Sequence, residues 1–301
     1  MNLENFVIYS PEGYAIVAHL LTFGYAAMAA GLVYFLATSG RTAPQYRLSS
    51  TLSAVVMASA FLELYIQSEE WERSFIFTPE GFVRTSTEVF SNGYRYMNWT
   101  IDVPMLLLQL LIVLGFSYKA GRGLWTKLAL ASLAMIYTGY VGQFYETTSL
   151  ARLLFWGALS TVFFVYVLYM LWVTIGRKLA EVSPETGRWL STLRWVAVGS
   201  WFLYPGAYLA PLVALYVPDL AEATVVGRQL TYTVADIVSK VVYGVVLGLA
   251  AEQRSSDEGF VPAIAGQNQL RVAAEPQQQV TDSEQAKDSR SVASSQDPSR
   301  R

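Results

Sequence analysis

The chain contains no cysteine and a single histidine, and only 15% of its residues are charged. The absence of cysteine excludes a disulfide framework, a thiolate nucleophile and a cysteine-ligated metal site. One histidine excludes a metal centre built from several imidazoles. A net charge of −2 predicts no nucleic-acid partner. The N-terminal residues also lack the basic region and cleavage site of a signal peptide, so we expect the first apolar segment to stay in the mature chain.

Apolar residues make up 53% of the chain, and its charged fraction is well below the roughly 25% of ordinary soluble domains. Seven apolar segments are each close to the roughly 20 residues that a helix needs to cross a bilayer. These segments cover residues 14–38, 49–68, 97–118, 125–145, 151–175, 190–216 and 229–251. The pattern predicts an all-α membrane protein, a bundle of seven transmembrane helices in a lipid bilayer.

The loops between these segments predict the orientation of the chain. Basic residues gather in the connections after the first, third and fifth segments: Arg41, Arg47, Lys119, Arg122, Lys127, Arg177, Lys178 and Arg188. By the positive-inside rule these loops are cytoplasmic, with the N-terminus outside and the C-terminus in the cytoplasm. Residues 70–93 alternate apolar and polar side chains around a Pro-Glu-Gly turn, which predicts a short extracellular β-hairpin between the second and third helices.

Composition divides the chain near residue 252. From residue 253 onward Gln, Ser, Asp and Arg dominate and aromatic residues are few. Such a segment cannot bury enough apolar surface to fold by itself. We therefore expect residues 1–252 to form the transmembrane domain and residues 253–301 to form a disordered cytoplasmic tail.

Two ionisable residues interrupt the last apolar segment. Asp236 and Lys240 are four residues apart, on one helix face. A lysine at the bilayer centre costs at least about 2.5 kcal/mol, so such residues usually mark a functional site. An ion pair between helices is one explanation. The other is covalent chemistry, because a desolvated lysine amine forms a Schiff base with an aldehyde, and a nearby carboxylate would be its counter-ion.

The third apolar segment carries polar residues on one face. Asn98 and Asp102 are four residues apart, and Arg95 lies one turn before them. Gln109 lies two turns beyond Asp102, about 10 Å along the helix axis. Amides of this kind can also serve as polar contacts between membrane helices. Both readings remain open at this point.

These residues resemble those of the microbial (type 1) rhodopsins over about residues 1–252. Three motifs carry the resemblance: Asp236-x-x-Ser239-Lys240, Arg95-Tyr96-x-x-Trp99 with Pro104, and Trp201-x-x-Tyr204-Pro205-Gly206-Ala207-Tyr208. Three positions sort this family by transported ion, and here they read Asn98, Asp102 and Gln109. That triplet is similar to the signature of the light-driven sodium pumps of bacteria, whereas outward proton pumps typically carry Asp-Thr-Asp or Asp-Thr-Glu.

The resemblance implies all-trans retinal bound to Lys240 as a protonated Schiff base, with Asp102 and Asp236 as counter-ions. The implied pocket includes Trp99, Trp201, Tyr204, Tyr208 and Ser239. The implied function is a light-driven outward Na⁺ pump in the bacterial plasma membrane, which carries H⁺ when Na⁺ is scarce. A light-driven proton pump and a sensory photoreceptor are the alternatives. No bond is made on an external substrate, so we do not expect an enzyme.

The same resemblance assigns ion-pathway residues. Na⁺ prefers oxygen ligands, so we expect a transient Na⁺ site at Asn98 and Asp236. Gln109 has no titratable proton, and Ser59 is expected to face the counter-ion. The implied outward route comprises Gln67, Arg95, Glu146 and Arg228, and the implied uptake cavity lies near Ser50 and Gly248. Tyr14, His19 and Glu88 match positions at the interface of a homo-oligomer, a pentamer by resemblance, where Tyr14 and Glu88 could hold a second Na⁺.

Three residues depart from what relatives have, and the first is Ser50, which stands where the best-known sodium pumps have an asparagine. Glu63 is one turn from Ser59 and one turn from Gln67, on the same helix face. We expect Glu63 to join the hydrogen-bond network of the Schiff base, and the alternative is a carboxyl that is turned toward a polar loop or protonated within the bundle. Gly157 stands where many relatives have a bulky aromatic residue. A glycine there can admit an antenna carotenoid beside the retinal, and close helix packing is the equal alternative.

Overall fold

The computed structural model describes residues 2–262, and within that range the chain folds into seven long helices and one β-hairpin. The first five helices comprise Pro11–Thr38, Arg47–Ser74, Gly93–Val113, Tyr118–Gln143 and Leu150–Lys178. The sixth helix has three pieces, Pro184–Trp201, Leu203–Tyr208 and Ala210–Tyr216. The seventh also has three, Ala221–Asp236, Ile237–Val242 and Tyr243–Asp257. Short 3₁₀ segments cover Leu3–Phe6, Ser39–Arg41, Pro44–Tyr46, Leu179–Glu181 and Pro218–Leu220. The predicted seven-helix fold is confirmed.

Six of these helices are long and apolar enough to cross a membrane. The fourth does not reach the same hydropathy, because Lys127, Gln143 and several glycine and threonine residues lie in it. It is nevertheless 26 residues long and packs between the third and fifth helices. The chain is therefore a multi-pass membrane protein.

The helices form a closed ring in chain order. Each helix packs on the next one, and the seventh packs on the first. Large apolar side chains such as Phe23, Val33 and Leu36 are exposed on the outside, where lipid would cover them. A set of charged and amide side chains, by contrast, is buried inside the ring, among them Arg95, Asp102, Gln109, Asp236 and Lys240. This distribution is typical of a membrane bundle that keeps its ionisable residues in the interior.

The predicted hairpin is present and is shorter than the alternating segment. Strand β1, Phe75–Thr78, pairs antiparallel with strand β2, Gly81–Arg84, while residues 70–74 complete the second helix. Tyr9 extends the sheet edge through two backbone hydrogen bonds to Phe82, of 3.0 and 2.8 Å. Gly81 has a φ of 123°, and an added Cβ there would lie 2.5 Å from the Tyr9 carbonyl oxygen. Only glycine therefore allows this turn to pack against the N-terminal segment.

The seventh helix extends past the predicted domain boundary. It ends at Asp257, so the predicted disorder is wrong for residues 253–257. The Asp257 carboxylate accepts hydrogen bonds from Ser183 at 2.6 Å and from Thr186 at 2.8 Å, and these bonds fasten the helix end to the start of the sixth helix. Residues 258–262 form a turn and an irregular stretch. The remainder of the predicted tail, residues 263–301, lies outside the described residues.

The middle piece of the seventh helix, Ile237–Val242, is π-helical. Such widened turns are rare, and they occur frequently at functional sites. This one contains Lys240, and Tyr243 follows it directly and donates a hydrogen bond of 3.1 Å to the Leu106 carbonyl oxygen. The irregular turn thus coincides with the buried lysine.

Candidate functional site

Lys240 lies between two carboxylates in the interior of the bundle. Its Nζ donates to Asp236 Oδ1 at 2.6 Å and lies 3.6 Å from Asp102 Oδ2. All three side chains are almost fully buried. The spacing of four residues aligns Asp236 with Lys240 on one helix, while the third helix brings Asp102 from across the ring.

Asp236 is held by more than the lysine. Arg95 NH1 lies 2.8 Å from its Oδ2, and Tyr204 donates to its Oδ1 at 2.8 Å. The Tyr204 hydroxyl is also 2.9 Å from the Ser239 hydroxyl. Two cations therefore face two carboxylates, and this balance of charge is what a buried ionic cluster requires.

The polar face of the third helix continues on both sides of Asp102. Asn98 Nδ2 donates to Ser59 Oγ at 2.7 Å, and Ser59 lies near Asp102, whose two oxygens have no hydrogen-bond partner among residues 2–262. The carbonyl oxygen of Asn98 is buried and accepts no hydrogen bond from residues 2–262. Gln109 Oε1 accepts from Ser53 at 2.5 Å. The structure brings Ser59, Asn98 and Asp102 together, but Asn98 and Asp236 form no hydrogen bond with each other.

Glu63 is buried among the same charges, with 6% of its surface exposed. It is close enough to Asp102, Asp236 and Lys240 for their charges to act on it. Neither of its carboxyl oxygens has a hydrogen-bond partner within the part of the chain that the structure describes. A carboxyl turned toward a polar loop is thus excluded, and the expected hydrogen bonds into the network are not seen among residues 2–262. The other alternative, a carboxyl protonated within the bundle, stays a prediction.

A chain of polar contacts leads from this cluster to the end of the bundle that carries the hairpin. Arg95 NH2 donates to Gln229 Oε1 at 3.1 Å, and Gln229 Nε2 donates to Glu4 Oε1 at 2.8 Å. Glu4 Oε2 is 3.0 Å from Arg228 NH2, and Arg228 NH1 is 2.5 Å from Glu146 Oε1. Lys240 is therefore connected to the N-terminal segment through buried side chains alone.

Glu4 is the principal residue of this route that the sequence did not reveal. It also accepts a hydrogen bond of 2.9 Å from Asn92. Glu146, in turn, accepts from the Asn2 side chain at 3.0 Å and from the Leu3 backbone at 2.8 Å. Gln67, which was expected on this route, is buried apart from it and donates to the Ser91 carbonyl oxygen at 3.2 Å. Ser53, which donates the hydrogen bond to Gln109, is a second residue that the sequence analysis did not single out. Its position three residues after Ser50 places it on the same helix face.

A cavity of about 410 Å³ begins at Lys240 and runs between the third, fourth, fifth and sixth helices. This volume lies within the roughly 300–1,000 Å³ that is usual for small-molecule sites. Aromatic and aliphatic side chains dominate its wall: Tyr96, Trp99, Val103, Leu106, Met135, Ile136, Leu154, Phe164, Trp201, Tyr204, Tyr208 and Tyr232, with Gly139, Gly157 and Ser239. An apolar cavity with a lysine amine at one end fits a long apolar aldehyde such as retinal.

Two glycines position Tyr208 at the wall of this cavity. A Cβ at Gly157 would lie 2.6 Å from Tyr208 Cε1, and a Cβ at Gly142 would collide with the Tyr208 hydroxyl. That hydroxyl donates to the Leu153 carbonyl oxygen at 2.9 Å. Close packing of an aromatic ring therefore explains Gly157 within one chain, and Gly142 is a wall residue that the sequence did not single out.

The remaining predicted residues lie apart from the lysine. Tyr14 stacks on Phe82 with ring centroids 3.9 Å apart, whereas Glu88 lines a separate groove, so the structure does not bring Tyr14 and Glu88 together within one chain. His19 is exposed on the first helix. Ser50 is buried, and a Cβ added to Gly248 would meet no atom within 4 Å.

A seven-helix membrane bundle with a buried lysine, paired carboxylates and an apolar cavity defines a class of retinal-binding proteins. The chain belongs to the family described as bacteriorhodopsin-like protein, whose sequence profile matches residues 15–253. Members of this family bind retinal and act as light-driven transporters or sensors rather than as ordinary enzymes. The predicted resemblance to microbial rhodopsins is therefore confirmed at the level of the family.

Known proteins agree in sequence and in fold. The chain is 26% identical over 235 residues to a green-light absorbing proteorhodopsin of a gamma-proteobacterium, covering 77% of this chain and 85% of that one. A crystal structure of thermophilic rhodopsin matches with a TM-score of 0.77 at 32% identity, over 84% of this chain and 99% of that one. The structure of xanthorhodopsin, described as a light-driven ion pump with dual chromophore, matches with a TM-score of 0.76 at 32% identity. This match covers 85% of this chain and 99% of that one.

Proposed function

We propose that this protein is a light-driven outward Na⁺ pump of a bacterial plasma membrane, which carries H⁺ when Na⁺ is scarce. One observation carries the proposal: neutral amides, Asn98 and Gln109, stand on both sides of Asp102 along the third helix. Neither amide can accept or donate a proton in the way that a carboxyl group can. A proton relay along this face would lack its entry and exit groups, while a cation would find carbonyl oxygens.

Lys240 is the proposed attachment point of retinal, because it is the lysine at the end of the apolar cavity. Bound there, retinal supplies the absorption of light and an isomerisation that changes the surroundings of the lysine nitrogen. Asp102 is the proposed acceptor of the proton on that nitrogen, since Asp236 is already held by Arg95 and Tyr204. Transfer of this proton would neutralise both groups and lower the electrostatic barrier to a passing cation.

The proposed transient Na⁺ site uses Asn98 and Asp236. The buried Asn98 carbonyl oxygen has no hydrogen-bond donor among the described residues, so it is available as a ligand. Asp236 has Lys240 and Tyr204 on one oxygen and Arg95 on the other. Na⁺ can therefore approach Asp236 only after the lysine nitrogen has lost its proton and its positive charge, and this requirement makes the site transient.

The proposed route runs from Ser50, Gly248 and Gln109 on the cytoplasmic side to the hairpin end. Glu4 joins the expected release residues, because it bridges Gln229 and Arg228. The basic loops support this orientation, with the hairpin outside and the C-terminus in the cytoplasm. Gln67 is retained as a neighbour of the route rather than as a member of its hydrogen-bond chain.

Glu63 is proposed to act on the counter-ions through its charge. Glu63→Gln should shift the pH at which the visible absorption changes, because it removes a titratable group from beside Asp102 and Lys240. Glu72→Gln is the matched control, since Glu72 lies on the same helix and is exposed. Identical absorption and transport curves for Glu63→Gln and the unchanged protein would refute this role.

A homo-oligomer, commonly a pentamer in this subfamily, is proposed from the resemblance at Tyr14, His19 and Glu88. Tyr14 and Glu88 could share an interface Na⁺ only if two protomers bring them together. A carotenoid beside Gly157 is likewise a proposal. Energy transfer in the excitation spectrum after incubation with hydroxylated carotenoids would support it, and the mass of the detergent-solubilised assembly would give the number of protomers.

The first experiment is the light-induced pH change of cells that express the protein with retinal. In NaCl the suspension should become alkaline, and a protonophore should enhance the change, because protons then follow the exported cation passively. Replacement of Na⁺ by K⁺ should abolish or reverse the signal. Lys240→Ala, which removes the attachment point, should be silent in both salts.

The same experiment separates the alternatives. Acidification that the protonophore abolishes would identify a proton pump, and the roles given to Asn98 and Gln109 would be wrong. A coloured protein that gives no signal in either salt would identify a sensory photoreceptor. Either result would overturn the Na⁺ pump without changing the family.

A further inference from the structure

We propose that the groove between the fifth and sixth helices, at the end of the bundle opposite the hairpin, binds the phosphate of an anionic phospholipid. The groove is defined by Trp172 and Gly176 on the fifth helix and by Arg194 and Trp195 on the sixth. It is separate from the lysine cavity, and the proposal holds whichever ion the protein carries.

Arg194 is a membrane arginine with no acidic partner among the described residues. Its guanidinium carbon lies 3.3 Å from the centre of the Trp172 ring, as in a cation–π contact. Within residues 2–262, none of the salt bridges involves Arg194. The side chain is only half-buried, and neighbouring Trp195 is 63% exposed. The guanidinium therefore offers its donors to whatever surrounds the bundle.

The groove holds this guanidinium in a fixed position. The Trp172 and Trp195 rings meet edge to face, with centroids 4.9 Å apart and planes at 81°. Gly176 follows Trp172 by one helical turn, and a Cβ added there would lie 3.1 Å from Arg194 NH1. The absence of a side chain at Gly176 therefore lets the guanidinium lie against the fifth helix. A planar cation fixed between an aromatic face and a backbone is well arranged to donate paired hydrogen bonds to a phosphate.

The height of the groove matches the headgroup layer. The fifth helix has 29 residues, Leu150–Lys178. It is therefore about 43 Å long. A hydrocarbon core of about 30 Å leaves roughly 6 Å of this helix outside it at each end. Gly176 is two residues from the end, about 3 Å, and so lies in the interfacial layer. Arg194 starts ten residues into the sixth helix and reaches this layer through its long side chain, as membrane arginines do.

The charge of this end of the protein favours an anionic lipid over a neutral one. Exposed Arg177 directly follows Gly176 and adds a second positive charge beside the groove, whereas Lys178 is paired with Glu181 at 2.5 Å. Basic pockets between membrane helices on the cytoplasmic side are typical sites for anionic headgroups. The aromatic rings of Trp172 and Trp195 suit the boundary between headgroups and acyl chains.

The test is lipid retention by the purified full chain with retinal, measured by native mass spectrometry in neutral detergent. Phosphatidylglycerol should occupy a saturable site, and phosphatidylcholine should bind at least about tenfold more weakly, since the pairing with arginine is charge-assisted. Arg194→Gln should weaken phosphatidylglycerol binding about tenfold. The phosphatidylglycerol affinity of Arg194→Lys should lie between those of Arg194→Gln and the unchanged protein, because lysine keeps the charge and loses the planar stacking. Arg188→Gln, an exposed charge on the same helix, should bind as the unchanged protein does.

Several results would overturn the proposal. One is equal retention of phosphatidylglycerol by the Arg194→Gln protein and the unchanged protein. Another is a loss of phosphatidylglycerol binding in Arg188→Gln as large as the loss in Arg194→Gln. Displacement of the lipid by excess inorganic phosphate would indicate a general anion site. A change in oligomer mass in Arg194→Gln, with lipid retention unaltered, would assign the groove to a second copy of the chain. The visible absorption band verifies that each variant is folded, and Trp172→Leu, which removes the stacking ring, gives an independent second variant.

Discussion

Arg228→Met should destabilise the folded protein more than any single change at its surface. Arg228 lies between two carboxylates, 2.5 Å from Glu146 and 3.0 Å from Glu4. The exposed fraction of the side chain is 2% for Arg228, 3% for Glu146 and 0% for Glu4. Removal of the guanidinium leaves both carboxylates buried without their cation. Breaking a buried ionic group in this way costs about 3–5 kcal/mol. The change should also release the N-terminal segment, because Glu4 and Glu146 tie it to the bundle.

The assay is equilibrium unfolding in mixed micelles of SDS, followed by circular dichroism so that the readout does not depend on retinal. Arg152→Met is the matched control, since Arg152 is exposed at the same end and its guanidinium carbon lies 5.0 Å from the centre of the Tyr145 ring. That contact is worth about 0.5–1 kcal/mol at an exposed site. Glu146→Gln should lie between the two variants, at about 1–3 kcal/mol, because a glutamine oxygen can still accept from Arg228. A loss below about 1 kcal/mol for Arg228→Met would refute the reasoning, since water would then be solvating these carboxylates.

Two further substitutions test the raised pKa of Tyr9 and the close packing of Tyr208 on Gly157. Burial raises the pKa of Tyr9 well above 10.0, and the negative charge of Glu4 adds to this effect. The stability that Tyr9 contributes is therefore complete below about pH 10 and is lost as the pH rises further, by up to about 1.4 kcal/mol per pH unit. Tyr9→Phe should flatten this alkaline loss in unfolding measurements, and equal slopes would contradict the pKa shift. Gly157→Ala should displace Tyr208, cost about 1–3 kcal/mol and shift the visible absorption maximum. Gly206→Ala, whose added Cβ meets no atom within 4 Å, should have none of these three effects, and matching spectra for the two variants would contradict the packing argument.

The helices and the hairpin could be predicted because their signals are local. Apolar length identifies a membrane helix, and the Pro-Glu-Gly turn identifies the hairpin between two alternating stretches. The pair of Asp236 and Lys240 is local as well, since four residues on a helix bring side chains together. Its contact of 2.6 Å follows from that spacing.

The partners across the ring could not be derived in the same way. Glu4 lies in a short 3₁₀ segment without hydrophobic periodicity, and its partners Arg228 and Gln229 follow more than 220 residues later. Only the closed ring of helices brings these residues together. The boundary of the tail was misplaced for a related reason, because Asp257 is fixed by Ser183 and Thr186 on another helix.

For Glu63, the sequence predicted the helix face and the burial but not the hydrogen-bond partners. Helical spacing correctly placed it on the face shared with Ser59 and Gln67, and it is buried as that face requires. The spacing could not say which groups its oxygens would meet. Hydrogen bonds depend on the rotamer and on the neighbouring helices, whereas burial depends mainly on the helix face.

The π-helical turn at Ile237–Val242 gives the seventh helix one residue more than a regular α-helix would need over the same height. Deletion of a single residue from this turn would therefore restore regular winding and leave the residues after it near their present positions. The Tyr243 hydroxyl would keep the Leu106 carbonyl oxygen, and Arg254 would keep the Val113 carbonyl oxygen. The extra residue thus changes the placement of the lysine within its own turn, while the cytoplasmic half of the helix keeps its fit to the ring.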